Sequence, residues 1–183
     1  MGRFPGRLTL AVQALTIAAV GVLGGVLVWR LTHQTPPPKV GGPAPIFALR
    51  RLSGNGTVSL RSLRGKTVVL NFFASWCDPC KREAPALEQV WREYRSRGVV
   101  VLGIDTNDAA SDARKFVSAH GVTYPTVGGA GYGLAGRYGV PDLPATFVIN
   151  SRGRIVGGEI LGPVSEQTHS QELLRYLHAA EQS

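Results

Sequence analysis

The sequence predicts an α/β domain built on a mixed β-sheet, preceded by an apolar helix near the N-terminus. Three observations lead to this. Two nearly continuous runs of apolar β-formers, residues 67–73 and 99–104, predict strands buried on both faces of a sheet. A helical pattern follows each of them. Two further strand patterns, 145–149 and 155–160, flank a short polar turn and predict an antiparallel hairpin, so that the sheet contains both strand directions.

The remaining predicted elements complete this architecture. An N-terminal β-hairpin is indicated by two short strand patterns around an Asn-Gly turn at 55–56. Pro85 lies inside the first predicted helix of the domain, where it indicates a kink. The predicted ranges are 47–52 and 58–60 for the hairpin strands, and 77–97, 112–120 and 165–180 for the helices.

The composition is that of an ordinary globular protein. The chain has 183 residues, of which 44% are hydrophobic, so one domain of roughly 140 residues is expected behind the N-terminal helix. Half of the net charge of +8 comes from residues 1–40, which hold no acidic residue. The other basic residues are scattered and are not interleaved with aromatic residues. This pattern favours a solvated basic surface and predicts no nucleic-acid partner.

An uncharged apolar run of 22 residues, Leu8–Trp29, predicts a membrane anchor. As a helix it would be about 33 Å long, enough for a hydrocarbon core of about 30 Å. Arg7 and Arg30 bracket the run, and Trp29 stands where an interfacial aromatic residue belongs. The alternative is a cleaved signal peptide. Its apolar core is usually shorter, and no small-x-small cleavage site follows this run.

These features predict four segments. Residues 1–7 form a cytoplasmic N-terminus, 8–31 the transmembrane anchor, 32–45 a Pro/Gly-rich linker and 46–183 the folded domain. The domain is expected on the extracytoplasmic side of the cell membrane. Because Lys and Arg residues are nearly balanced on the two sides of the anchor, this orientation depends on the family resemblance described below.

The glycine-rich run 131–136 matches the G-x-G-x-x-G pattern of dinucleotide-binding proteins letter for letter. That site needs a preceding strand, a full following helix and a βαβ unit. Gly139 and Pro141 would stop a helix within a few residues. We therefore expect a flexible glycine-rich connection here, without a bound dinucleotide.

The only two cysteines form the motif Cys77-Asp78-Pro79-Cys80. As a structural staple the pair would be weak, since closing so short a loop contributes about 2 kcal/mol, against about 5 kcal/mol for a 100-residue loop. A zinc site would need two more ligands, and c-type haem attachment would need His at position 81, which is Lys. A redox dithiol remains. At the start of a helix, the helix dipole and free N–H groups stabilise a thiolate at Cys77. We predict no metal and no cofactor.

The surrounding sequence resembles a known family. The run 71–85 is similar to the active-site strand and helix of the thioredoxin superfamily. The runs 42–49, 63–72 and 143–149 resemble more specifically its membrane-anchored, extracytoplasmic TlpA/ResA-like branch, which includes the thiol reductases of cytochrome c maturation. The resemblance covers about residues 41–178. It implies a thioredoxin fold, with a central mixed sheet flanked by helices and an added N-terminal β-hairpin.

The resemblance also implies site residues. Trp76 would flank the active-site loop, and Pro144, after Leu143, would be a cis-proline that faces the dithiol and helps to dock the substrate chain. Glu83 matches an acidic residue that this branch places beside its dithiol. Its spacing agrees, because a residue three positions after Cys80 shares a helix face with it, and a carboxylate there could accept a proton from Cys80. The alternatives are plain packing for Trp76 and an ordinary solvated glutamate for Glu83.

Two residues qualify the resemblance. Asn71 occupies the position at which many cytoplasmic thioredoxins bury an aspartate. Because asparagine cannot relay a proton, Glu83 becomes the better candidate for that role. Asp78 places a negative charge beside Cys77, which disfavours the thiolate and favours a reductant.

We therefore predict a thiol–disulfide oxidoreductase that reduces disulfides of exported proteins, such as the haem-binding cysteines of apocytochrome c. An integral-membrane thiol reductase is expected as its electron donor. Two alternatives stay open. A copper-binding chaperone on the same fold would resemble C-x-x-x-C with a distant His, and a thiol peroxidase would need a Thr and an Arg near a single reactive cysteine.

Overall fold

The structure is a computed structural model that describes residues 6–32 and 36–183, with side chains from residue 11 to 29 in the first of these ranges. The predicted N-terminal segment up to residue 5 and residues 33–35 of the predicted linker lie outside the described residues. The chain divides into two compact units, one ending at Pro36 and one spanning Pro37–Ser183.

The first unit contains helix α1, Gly6–Thr32. Its 27 residues make a helix about 40 Å long. Within it, the span Ala11–Trp29 has a mean hydropathy of 2.2 and no side chain buried in protein. By length and composition, this helix could cross a membrane.

The second unit is built on a seven-stranded mixed sheet with the strand order β2-β1-β5-β4-β3-β6-β7. The central strands β3, β4 and β5 are parallel, and all other neighbours are antiparallel. This confirms the predicted mixed sheet and both predicted hairpins. The strands are β1 Ala48–Arg51, β2 Thr57–Ser59, β3 Thr67–Phe73, β4 Val99–Asp105, β5 Thr126–Gly128, β6 Ala145–Ile149 and β7 Ile155–Leu161.

Helices cover both faces of this sheet. Every residue of β3 and β4 is buried, as the two apolar runs predicted. One face packs against α2, α3 and α5 through residues such as Leu87, Phe116 and Leu173. On the other face, Tyr138 of α4 lies 5.3 Å from the Phe72 ring, measured between ring centroids. The helices are α2 Asp78–Tyr94, α3 Ala110–Ala119, α4 Gly131–Tyr138 and α5 Gln167–Glu181, and the chain has the thioredoxin fold.

The glycine-rich run 131–136 was wrongly predicted as a flexible connection, because it forms most of helix α4. Its glycines lie inside the helix, and the left-handed Gly139 ends it. The strand before it, β5, is only three residues long and was not predicted. The strand after α4 runs antiparallel to β3. The run is therefore not part of a βαβ unit.

Part of the predicted linker, 32–45, is hydrogen-bonded to the folded domain. Gly41 N–H donates to Ile155 O at 2.8 Å, Ile155 N–H donates back to Gly42 O at 2.9 Å, and Ala44 is buried. These bonds attach the segment 41–44 to the first residue of β7 and to Gly153 in the turn before it. We propose that the domain starts near Pro37, where the second compact unit begins.

Strand β7 contains an irregularity at Gly157. Between the pairs Thr146–Ile160 and Val148–Val156, β7 has three residues where β6 has one. Gly157 has a φ of +74°, and the ring of Tyr176 lies directly over its Cα. A side chain at this position would meet both a strained backbone and an aromatic ring.

We expect Gly157→Ala to lower the free energy of unfolding by about 1–3 kcal/mol. The matched control is Gly133→Ala in α4, where an added Cβ has no atom within 4 Å, so that stability should stay level or rise by up to about 1 kcal/mol. Urea unfolding of the full-length chain in detergent measures both. Equal stability of the two variants would contradict the assigned conformation of β7.

Candidate active site

The two cysteines lie at the start of helix α2, directly after the buried strand β3. Their sulfurs form a disulfide with an S–S distance of 2.02 Å. Cys77 is the N-cap residue, and its Sγ accepts a hydrogen bond from the backbone N–H of Cys80 at 3.2 Å. Pro79 occupies the first turn, where its missing N–H leaves no bond unmade. The first sulfur therefore lies at the positive end of the helix dipole, as the sequence predicted.

The two sulfurs differ in access. Cys77 is 4% exposed and Cys80 is 1% exposed. Both residues are buried, and Cys77 is the more exposed of the two. Cys80 faces the protein interior, on the helix side that also carries Glu83.

Glu83 is a buried carboxylate and not a solvated surface glutamate. It is 1% exposed. Its Oε1 accepts from Asn71 Nδ2 at 2.7 Å, and its Oε2 accepts from the Val164 N–H at 3.1 Å. These two bonds fix the carboxylate in the interior, on the helix face that Cys80 shares.

Burial also changes the acidity of this group. Removal from water raises the pKa of Glu83 to about 7, although the hydrogen bonds from Asn71 and Val164 oppose the rise. A carboxyl group with this pKa exchanges a proton at neutral pH. It is therefore suited to general acid–base chemistry beside a thiol.

Asn71 connects this carboxylate to the loop that carries Pro144. Its Nδ2 donates to Thr146 Oγ1 at 3.0 Å as well as to Glu83. Thr146 lies two residues after Pro144, and the Leu143–Pro144 peptide bond is cis, as the resemblance implied. Asn71 cannot relay a proton, but in the structure its side chain holds Glu83 in place.

Trp76 lies on the surface beside the disulfide. Its side chain is 55% exposed, and its Nε1–H donates to Asn107 O at 3.4 Å. Together with Leu143 and Tyr132 it lines a cavity of about 190 Å³. An indole ring that remains exposed next to a reactive pair is available for contact with a substrate chain.

Asp78 has a weaker effect than its position suggested. Its carboxylate accepts from Lys81 Nζ at 2.6 Å, and this ammonium group lowers the pKa of Asp78. Both side chains are solvated, so their opposite charges largely cancel next to Cys77. Asp78 therefore does not favour a reductant over an oxidant.

Two acidic residues near the site were missed by the sequence analysis. Asp105 ends strand β4, and Asp108 follows in the next loop. The Oδ2 of Asp108 accepts from the Ser75 N–H at 2.7 Å, two residues before Cys77. Because β3 and β4 are parallel neighbours, their carboxyl ends meet at one edge of the sheet. That rule could have identified both residues.

The chain is similar to known thiol–disulfide oxidoreductases. The AhpC/TSA family matches residues 40–157. The thiol–disulfide oxidoreductase ResA of Bacillus thuringiensis is 32% identical over 165 residues, covering 90% of this chain and 92% of that protein.

Two solved structures agree with this similarity. A Chlorobium tepidum protein named as a thiol:disulfide interchange protein, DsbE, is 28% identical with a TM-score of 0.70, covering 78% of this chain and 98% of that one. A secreted Mycobacterium tuberculosis disulfide oxidoreductase homologous to Escherichia coli DsbE is 27% identical with a TM-score of 0.60, covering 72% and 95%. With its C-x-x-C disulfide at the start of α2, the chain belongs to the AhpC/TSA family and, within it, to the ResA-like thiol–disulfide oxidoreductases.

Proposed function

We propose that this enzyme is anchored in the cell membrane by α1 and reduces disulfides of exported proteins on the extracytoplasmic side. Its proposed substrate is the haem-binding cysteine pair of apocytochrome c. The observation that carries the proposal is the buried Glu83 carboxyl group on the helix face of Cys80. A group with a pKa of about 7 can take the proton that the resolving thiol must lose.

The reaction begins with the dithiol form of the enzyme. The Cys77 thiolate attacks one sulfur of the substrate disulfide, forming a mixed disulfide and releasing the other substrate sulfur as a thiolate. Cys80 then gives its proton to Glu83 and attacks the Cys77 sulfur. The second substrate thiolate leaves and is protonated. Two electrons have passed to the substrate, and the enzyme has the Cys77–Cys80 disulfide seen in the structure.

The other residues support docking in this proposal. Trp76 and Leu143 line the cavity beside the disulfide, where they would contact the chain next to the substrate cysteine. Pro144 would hold the docking loop beside the dithiol. The enzyme then needs an electron donor for each turnover. For this role we propose an integral-membrane thiol reductase, since the ResA relatives and the apolar α1 suggest work at a membrane.

The variant Cys80→Ala tests which protein is the substrate. Without the resolving thiol, the mixed disulfide on Cys77 should accumulate and can be isolated from cells under non-reducing conditions and identified by mass spectrometry. We expect c-type apocytochromes. The control Cys77→Ala should trap none of them. A diverse set of exported proteins on Cys77 would contradict the proposed substrate and leave a general reductase.

Glu83→Gln tests the state of the carboxyl group through stability. The folded pKa of Glu83 is raised from 4.5 to about 7, so its contribution to stability is present below about pH 4.5 and is lost as the pH rises through 7. Glutamine mimics the protonated form and has no such loss. Relative to wild type, the oxidised variant should therefore gain of the order of 3 kcal/mol between pH 4.5 and 8.

Glu88→Gln is the matched control for this measurement. Glu88 is another buried glutamate of α2, but hydrogen bonds from Thr123 and Arg92 outweigh burial and lower its pKa. Its stabilising contribution is present at neutral pH, so its replacement should cost stability at pH 8. Urea midpoints across pH measure both variants, and the same pH trend in both would contradict the assignment to Glu83.

The kinetics of Glu83→Gln test its role as a base. Resolution of a preformed mixed disulfide by Cys80 should slow by roughly tenfold or more at pH 7. In wild type the rate should rise with pH up to about 7, where Glu83 ionises. Stopped-flow release of a chromogenic thiol measures this step. Unchanged resolution with the same pH profile would exclude Glu83 as the base.

A further inference from the structure

An acidic cavity lies beside the loop that carries the disulfide. Its volume is about 370 Å³, and it is lined by Asp105, Asn107, Asp108, Gly129 and Gly131. This cavity is distinct from the apolar one beside Trp76 and Leu143. The docking role proposed above does not involve its carboxylates.

Two hydrogen bonds connect the cavity wall to the residues before Cys77. Asp108 Oδ2 accepts from the Ser75 N–H at 2.7 Å, and Asn107 O accepts from Trp76 Nε1 at 3.4 Å. Asp105 is paired in the sheet with Phe73, the last residue of the strand that leads into the active-site loop. The cavity therefore lies close to the active-site loop. A substrate side chain held in it would be only a few residues along the substrate chain from the cysteine that reacts with Cys77.

Asp105 is an unusual wall residue. It is 1% exposed, yet its Oδ1 has no hydrogen-bond partner among the described residues. Its Oδ2 lies against Gly128, where an added Cβ would be only 3.2 Å away. A buried polar atom without a partner is costly, and most such atoms in native proteins are paired. Asp105 also lines the cavity, so a donor bound there would lie next to this carboxyl group.

Asp108 accepts from the Ser75 N–H, but the carboxyl groups of this cavity are not paired with a cation that the structure describes. Within residues 36–183 neither Asp105 nor Asp108 forms a salt bridge. The lysines on the helices after the two loops are already engaged, Lys81 with Asp78 and Lys115 with Asp112. Burial and the charge of Asp108 raise the pKa of Asp105 to about 7, the expected result for two carboxyl groups without a cation.

We propose that this cavity is a specificity subsite for a basic side chain of the substrate, located within a few residues of the cysteine that reacts with Cys77. Arginine fits it best, because the guanidinium carries five N–H donors in a planar fork and can donate to both carboxylates. The inference deepens the proposed function, on which it depends, by naming a feature of the substrate sequence.

A metal ion is a poorer occupant. In the described part of the chain, no group of three or more His, Cys, Asp or Glu side chains is arranged to hold a metal. Two carboxylates with one amide side chain leave most of an oxygen coordination shell to water. A flexible cationic side chain needs no such coordination shell. It also belongs to the same substrate chain as the reacting cysteine.

The test compares disulfide peptides that differ at a single position. The reduced full-length enzyme, in detergent, is mixed with peptides that carry Arg, Lys, norleucine or Glu at each position within three residues of the cystine. Single-turnover rate constants are measured by stopped-flow Trp fluorescence. At one position, Arg should react about tenfold faster than norleucine, which equals about 1.4 kcal/mol, and Glu should react more slowly than norleucine.

Asp105→Asn, which keeps the side-chain shape, should reduce the Arg-to-norleucine ratio to about two or less. Asp112→Asn removes an exposed carboxylate that is already paired with Lys115, and it should keep the wild-type ratio. If the wild-type rate constants do not depend on whether the peptide carries Arg, norleucine or Glu, the proposed subsite is wrong, whatever the variants show. A ratio that survives in Asp105→Asn would also overturn it.

The two proposals fail in different ways. If no peptide disulfide is reduced at a significant rate, the reductase function itself is wrong. If all peptides are reduced at one rate, that function stands and only the subsite is wrong. If the preference for Arg falls equally in Asp105→Asn and Asp112→Asn, general surface charge causes it, and the subsite is again wrong.

Discussion

The site depends on one buried carboxyl group. Glu83 accepts hydrogen bonds from β3, through Asn71, and from the segment after β7, through Val164, while its own backbone belongs to α2. Three separate parts of the fold therefore meet at its two oxygens. Because Asn71 also donates to Thr146, the docking loop at Pro144 joins the same network. Glu83 is thus connected through Asn71 to the strand that follows Pro144.

The sheet determines which groups surround this network. Strands β3 and β4 are parallel neighbours, so the loops after them leave the sheet at one edge. One loop delivers the cysteines and the other delivers Asp105 and Asp108. Strand β6 runs the opposite way, so its start at Ala145, just after Pro144, lies at that edge too. A mixed sheet brings three distant pieces of sequence together at the dithiol.

Much of this architecture follows from the sequence. The uniform apolar runs predicted β3, β4 and β6, because strands buried on both faces carry an unbroken hydrophobic pattern. Strand β7 was predicted as the second strand of a hairpin. The cysteine spacing after a buried strand gave the active-site helix. The spacing of Glu83 gave its helix face. Its burial could not be derived locally, since Asn71 and Val164, which satisfy it, are 12 and 81 residues away.

Other features depend on contacts that no local pattern encodes. Strand β5 has three residues, too few for a periodic signal, and forms because β4 and β1 offer it partners. Helix α4 forms despite three glycines, because Leu134, Ala135 and Tyr138 are buried against the sheet. The partnerless oxygen of Asp105 likewise arises only when the neighbouring strands close around it.

The segment 41–44 has a consequence for solubility. A strand at the rim of a sheet displays a row of free amides and carbonyls that can recruit a second polypeptide. Here Ile155, the first residue of β7, is already paired with Gly41 and Gly42, and Ala44 pairs with Gly153 just before the strand. Pro43 has no N–H to offer further outward. The segment 41–44 therefore also protects this end of the exposed sheet edge from pairing with another chain. Removal of the chain up to residue 44 would uncover this end of the rim, whereas a cut before Gly41 would leave it covered.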